Sequence, residues 1–175
     1  MSLIVDASIT IAWYAHNQAS AYSDRMRRLA RGHVLHVPAV WPFEFANVLR
    51  QLRRRGRMND HQLAAIIDLS RRLNVTVHAQ PPVADLVATA ERYDLSAYDA
   101  AYLLLALDLR YPVASSDETL RKALRAQVRG SPSPAACHLL AVVDVEPPMS
   151  AHWGCMIGCD SRLPLVAGRA RCGVA

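Results

Sequence analysis

The feature that most constrains this chain is a repeated switch of hydrophobic period. Short apolar runs of strand length alternate with longer segments whose apolar residues recur every three or four positions. Leu3-Ile4-Val5, Val34 to Val37, Val75-Thr76-Val77 and Pro112 to Ser115 are the short runs, each β-branched or bounded by turn formers. Between them, Ala21 to Arg31 sets Tyr22, Met26 and Leu29 on one stripe. Phe45, Val48, Leu49 and Leu52 repeat the helical spacing until the pattern stops before Gly56. The same spacing returns in Asn59 to Leu73, Val83 to Tyr93, Ala97 to Leu109 and Thr119 to Val128. Ala97 to Leu109 is apolar nearly all round, which predicts a central buried helix. Strands joined by crossovers long enough to hold helices run parallel, and such a sheet is covered by helices. The expected fold is α/β, a three-layer sandwich with a mostly parallel central sheet.

The 175 residues fit one domain, or one domain with an appendage. A hydrophobic fraction of 52% with 20% charged residues excludes a disordered chain. Composition changes after Gly130, where Ser131-Pro132-Ser133-Pro134 reads as a linker. The expected domain is therefore residues 1–130, extended to 145 if Leu139 to Val145 adds a last strand; 146–175 reads as an irregular tail. All four cysteines (Cys137, Cys155, Cys159, Cys172) fall beyond the linker, so the main body does not depend on disulfides. His152, Cys155 and Cys159, with Cys137 and His138 nearby, hint at a small metal site, but structural zinc uses tighter cysteine pairs. No apolar stretch is long enough to span a membrane, and the N-terminus lacks the pattern of a signal peptide. The expected location is cytoplasmic.

Of eleven aspartates and four glutamates, four stand beside apolar or aromatic residues at the edge of a predicted element. Asp6 directly follows the first strand. Ligands of open α/β sheets gather at the carboxyl ends of strands, although an aspartate there serves equally as N-cap for a helix starting near Ser8. Glu44 lies just after Pro42, near a helix start, where the dipole alone favours negative charge. Its bulky neighbours predict a walled cleft. Asp99 stands three residues after Ser96, in the acidic slot of a capping box. It also opens the most hydrophobic helix, where a carboxylate costs desolvation unless paired or metal-bound. Asp117 follows the last strand, and Ser115, Ser116 and Asp117 are all competent caps. Each acid alone has a capping or dipole explanation. Jointly, two strand-end acids and two helix-start acids point to one edge of a parallel sheet. Four carboxylates in one crevice repel, and hard Mg²⁺ or Mn²⁺ relieves that repulsion with oxygen ligands, completed by water and substrate phosphates. The cluster suits phosphodiester chemistry.

Four passages carry these acids: Ile4-Val5-Asp6-Ala7-Ser8, Phe43-Glu44-Phe45-Ala46-Asn47-Val48-Leu49, Leu95-Ser96-Ala97-Tyr98-Asp99-Ala100-Ala101-Tyr102-Leu103 and Val113-Ala114-Ser115-Ser116-Asp117-Glu118-Thr119-Leu120. In this order and spacing they resemble the PIN-domain nucleases, in particular the VapC-type toxins of bacterial toxin–antitoxin pairs. The resemblance implies a parallel sheet between helices and Mg²⁺- or Mn²⁺-dependent endonucleolytic cleavage of RNA. It implies Asp6 and Asp99 as principal metal ligands, with Glu44 and Asp117 as the other two acids of a four-carboxylate site. It further implies a hydroxyl near the acids at Ser115, Asn47 orienting Glu44, a homodimer, and a cognate antitoxin whose C-terminal segment covers the cleft. The tail is unlike the family.

The net charge of +5 fits a polyanionic partner, and nineteen of the twenty cations are arginines, Lys122 being the exception. Arg50, Arg53, Arg54, Arg55 and Arg57, and separately Arg25, Arg27, Arg28 and Arg31, either track phosphates or form solvated helix faces. Tyr98 and Tyr102, at helical spacing, read as core or rim rather than as base-stacking groups. No P-loop, dinucleotide fingerprint or nucleophile elbow occurs. Two rival functions remain: a phosphatase built on Asp6, which would want a second aspartate where Ser8 stands, and a non-catalytic RNA- or antitoxin-binding module.

Overall fold

A computed structural model of the chain describes residues 2–14 and 19–130. The elements are β1 (Ser2–Val5), α1 (Ala7–Ala12), α2 (Ala21–Ala30), β2 (Val34–Pro38), α3 (Trp41–Arg54), α4 (Asp60–Ser70), β3 (Val75–His78), α5 (Val83–Tyr93), α6 (Ala97–Leu109), β4 (Val113–Ala114) and α7 (Glu118–Gly130). Every strand and helix expected before residue 130 is present. The possible strand at Leu139 to Val145, the tail and the Cys137–Cys159 group lie outside the described residues.

The four strands pair in the order β3-β2-β1-β4, all parallel. The chain steps from β1 to β2 to β3 in one direction, then returns to place β4 on the far side of β1. Right-handed crossovers then put α1 to α4 on one face and α5 and α6 on the other. Packing agrees: α1 meets α2 and α3, α3 meets α4, and α6 meets β2, α5 and α7. The expected three-layer sandwich results. α7 ties the layers together, because it packs on α6 while Arg121 lies over the Tyr22 ring of α2, 5.8 Å from its centroid.

Local signals explain where the helices begin and end. Ser20 and Ser23 form a reciprocal cap on α2, and Asn59 and Gln62 do the same on α4. Ser96 caps α6 by accepting the Asp99 N–H. Gly56, at φ +65°, takes the left-handed turn that follows α3.

The core runs through the middle layer. Ile4, Val5, Met26, Val37, Leu103, Leu120 and Leu124 are sealed from solvent, each contributing about 1.5–3 kcal/mol of burial. α6 is the buried helix its composition predicts, with Ala100 to Leu103, Leu105 and Ala106 inside. α4 behaves differently. Only Ile66 of its apolar stripe is buried, while Ile67 and Leu69 stay exposed. The helix leans on α3 along one edge, leaving a cavity of about 770 Å³ floored by Phe45, Leu49, Met58 and Leu63.

Candidate active site

The sheet changes direction between β1 and β4, and crevices at such points receive ligands at the carboxyl ends of the strands. Asp6 stands there, immediately after β1. It occupies the N-cap position of α1, yet its side chain makes no cap hydrogen bond. Instead its Oδ2 accepts two hydroxyls, from Ser8 at 2.7 Å and from Ser115 at 2.7 Å. The carboxylate is 7% exposed and Ser115 is fully buried. A buried charge is tolerated only with such partners. The capping explanation for Asp6 therefore fails.

Asp117 lies at the end of β4 and does cap. Its Oδ1 accepts the Leu120 N–H of α7 at 2.9 Å, and its own N–H donates to the Ser115 hydroxyl at 3.0 Å. It is exposed. Asp99 sits on the first turn of α6, and its Oδ2 accepts the Ser96 hydroxyl at 2.6 Å. Glu44 sits on the first turn of α3, held there by Trp41, whose indole N–H donates to Thr10 of α1 at 3.1 Å and whose ring stacks on Phe45. The cleft at Glu44 is walled on one side only, since Phe45 is buried but Phe43 is 75% exposed.

The four acids feel one another. Burial first, then the charges of Asp6 and Asp99, push the Glu44 carboxyl above its usual range, against the pull of its Tyr102 hydrogen bond. Burial likewise raises Asp99, helped by Asp117 and Asp6 and opposed by Ser96. The structure thus brings Asp6, Glu44, Asp99 and Asp117 to one edge, though as they stand no three His, Cys, Asp or Glu among the described residues are close enough together to hold a metal ion. By their chemistry alone, carboxylate and hydroxyl oxygens suit a hard cation such as Mg²⁺ or Mn²⁺. In each of three acids, hydroxyls claim one oxygen: Oδ2 of Asp6, Oδ2 of Asp99 and Oε2 of Glu44. The opposite oxygens carry no hydrogen bond among the described residues.

Two partners of the acids differ from the sequence expectation or are absent from it. Asn47 does not hold Glu44; it is exposed on the next turn, and Glu44 Oε2 instead accepts the Tyr102 hydroxyl of α6 at 2.7 Å. Helical spacing specifies which face a residue shares, but Glu44 turns toward the neighbouring helix. Tyr102 is core, as expected, while Tyr98 is 60% exposed at the rim. The sequence assigns Ser8 no role toward Asp6, yet it is a direct partner of that acid; its signal is a hydroxyl two residues past a strand-end acid. The arginine run of α3 sits away from the acids: Arg50, Arg53 and Arg54 line the α3–α4 cavity, and Arg53 pairs with Asp60.

Comparison with known proteins agrees with this geometry. The sequence matches the PIN domain family over residues 3–125. It is 33% identical over 127 residues to the VapC ribonuclease Mb0985 of Mycobacterium bovis, covering 71% of this chain and 93% of that protein. It is 27% identical over 132 residues to ribonuclease VapC3 of Pyrobaculum aerophilum, covering 73% of this chain and 98% of that protein. Among solved structures, PAE2754 from Pyrobaculum aerophilum superposes with a TM-score of 0.54 at 25% identity, covering 70% of this chain and 87% of that one. A parallel sandwich with acids at its switch point, matched to the family over most of its length, has one reading: the chain belongs to the PIN-domain family and is of the VapC type.

Proposed function

We propose that this protein is an Mg²⁺- or Mn²⁺-dependent endoribonuclease, the toxin of a type II toxin–antitoxin pair, working through Asp6, Glu44, Asp99 and Asp117. The observation that carries the reading is the state of Asp6: a nearly buried strand-end carboxylate that caps nothing and is held by Ser8 and Ser115 beside three other acids. The VapC relatives, by their names ribonucleases, support RNA as the substrate.

Asp6 and Asp99 would hold the cation, through the oxygens their serines leave open. A bound divalent ion supplies positive charge for a phosphate oxygen and a lowered pKa for water. Glu44, on the first turn of α3 with one oxygen held by Tyr102, or Asp117, anchored by its cap at the end of β4, would position the attacking water. The arginines of α2 and α3 supply phosphate contacts outside the acids, and unpaired RNA suits an open edge better than a duplex.

The partners proposed are the RNA substrate, a cognate antitoxin covering the cleft, and a second copy of the chain. Phe43, Val83, Val87 and Tyr98 support the dimer. All four are exposed apolar or aromatic side chains. They belong to α3, α5 and α6, which meet where Val40 packs on the Leu86, Ala100 and Ala101 cluster. No helix among the described residues is long and apolar enough to cross a membrane, and the proposed site of action is the cytoplasm.

The test is incubation of the full-length protein with labelled RNAs in Mg²⁺, Mn²⁺ or EDTA. Metal-dependent cutting that disappears in a folded Asp99→Ala variant is the expected result. RNA binding without cutting in any metal would instead support the non-catalytic module. Cutting by folded, metal-loaded Asp99→Ala at the wild-type rate would remove Asp99 from the site.

A further inference from the structure

Tyr102 lies fully buried on α6, one turn past Asp99, and its hydroxyl reaches across to α3, where it donates to Glu44 Oε2 at 2.7 Å. The two residues are 58 positions apart, so the contact is made by tertiary packing alone. The hydroxyl therefore joins two elements of the site: the helix that carries Asp99 and the helix that carries Glu44. A hydrogen bond to a carboxylate in a low-dielectric interior is stronger than its counterpart in water.

Glu44 needs such a restraint. Its side chain has three rotatable bonds, and Asp6 and Asp99 both repel its charge. Left alone, it gains rotamer entropy and relief from repulsion by swinging toward solvent. A tyrosine ring has few torsions, and this one is clamped by the core. We propose that Tyr102 is a positioning residue, whose buried hydroxyl holds Glu44 at a fixed place beside Asp6 so that both acids present free oxygens to the same cleft. Nothing else among the described residues donates a hydrogen bond to Glu44. This role rests on the nuclease reading above.

The test uses the full-length protein and its Tyr102→Phe variant, which loses one oxygen atom and keeps the ring. Mn²⁺ affinity is read by electron paramagnetic resonance, cutting of labelled single-stranded RNA gives kcat and KM, and thermal unfolding is followed in EDTA. Partners that orient metal-site groups typically change metal affinity or activity by about tenfold to a hundredfold, and a loss of that size in Mn²⁺ affinity and kcat is expected, with KM little changed. In a Glu44→Ala background the Phe substitution should change Mn²⁺ affinity no further. Should Tyr102→Phe not fold, Glu44→Asp draws the carboxylate back from the hydroxyl without touching the core, and the same losses are expected. Mn²⁺ affinity and kcat within about twofold of wild type overturn the role, as does an undiminished loss when Glu44 is already alanine. A Tyr102→Phe protein that is destabilised in EDTA but binds Mn²⁺ and cuts as wild type marks Tyr102 as a structural tyrosine only, which also overturns it. Wild-type protein that neither binds Mn²⁺ nor cuts RNA overturns the nuclease reading, and this role with it.

Discussion

Replacing Ser115 by alanine deletes one buried oxygen at the junction of β4 and α7. That oxygen donates to Asp6 Oδ2 at 2.7 Å and accepts the Asp117 N–H at 3.0 Å. Water cannot readily take its place, because Ser115 is 0% and Asp6 is 7% exposed. A hydrogen bond to a charged group contributes about 1.5–3 kcal/mol and an ordinary one about 1 kcal/mol. Ser8 still donates to the same Asp6 oxygen at 2.7 Å and offsets part of the loss. The expected destabilisation is about 2–3 kcal/mol, or a fall in Tm on the order of 10 °C. Urea unfolding in EDTA, followed by circular dichroism, should be run on wild type, Ser115→Ala, Asp6→Ala and the double variant. Most of the cost of Ser115→Ala should vanish once Asp6 is alanine, giving a coupling of about 1.5 kcal/mol. A cost below about 0.5 kcal/mol, or strict additivity in the cycle, would refute the argument that the hydroxyl holds the carboxylate.

Other consequences follow from the same acids and from the core. Asp99 binds its proton more tightly in the folded than in the unfolded protein, chiefly through burial, so its contribution to stability is full below the usual carboxylate range and lost as pH rises through the raised value. Metal-free Asp99→Asn should therefore become progressively more stable than wild type between about pH 4 and pH 7, by thermal unfolding across that range; a pH-independent difference would contradict the sign. Mn²⁺ should raise the Tm of wild type, since a ligand that binds only the native state stabilises it, and should do so far less for Asp6→Asn. Leu103→Ala, at a site with no exposed surface, should cost about 2–5 kcal/mol in urea unfolding; a cost under about 1 kcal/mol would mean that α6 is not the packed centre of the sandwich.

Much of this protein is legible one segment at a time. A strand is a short apolar run and a helix a 3.6-residue period, so β1 to β4 and α2 to α7 could be placed from their own residues. Asp6 and Asp117 follow strands, and Glu44 and Asp99 open helices. In a parallel sheet the acids that follow strands, and the one that opens the helix after β2, share an edge, so Asp6, Asp117 and Glu44 could be singled out together before any contact was known. Asp99 opens a helix that follows another helix, and only the packing of α6 brings it to them. Their partners could not. The family resemblance points to Asn47 for Glu44, but α3 packs so that Glu44 faces α6 and meets Tyr102. α4 has an apolar stripe by period, yet half of it stays outside because α3 covers only one edge. Capping or the helix dipole accounts for each acid in isolation; the structure separates Asp117, which caps, from Asp6, which does not. The local sequence therefore determined the elements and the parallel character of the sheet, while the strand order and the switch point beside β1 came with the tertiary structure. Tertiary packing alone decided which hydroxyl holds which carboxylate oxygen. Backbone periods are set by neighbours a few residues away, whereas a hydrogen bond between Ser115 and Asp6, or between Tyr102 and Glu44, exists only once distant segments are pressed together in a core that excludes water.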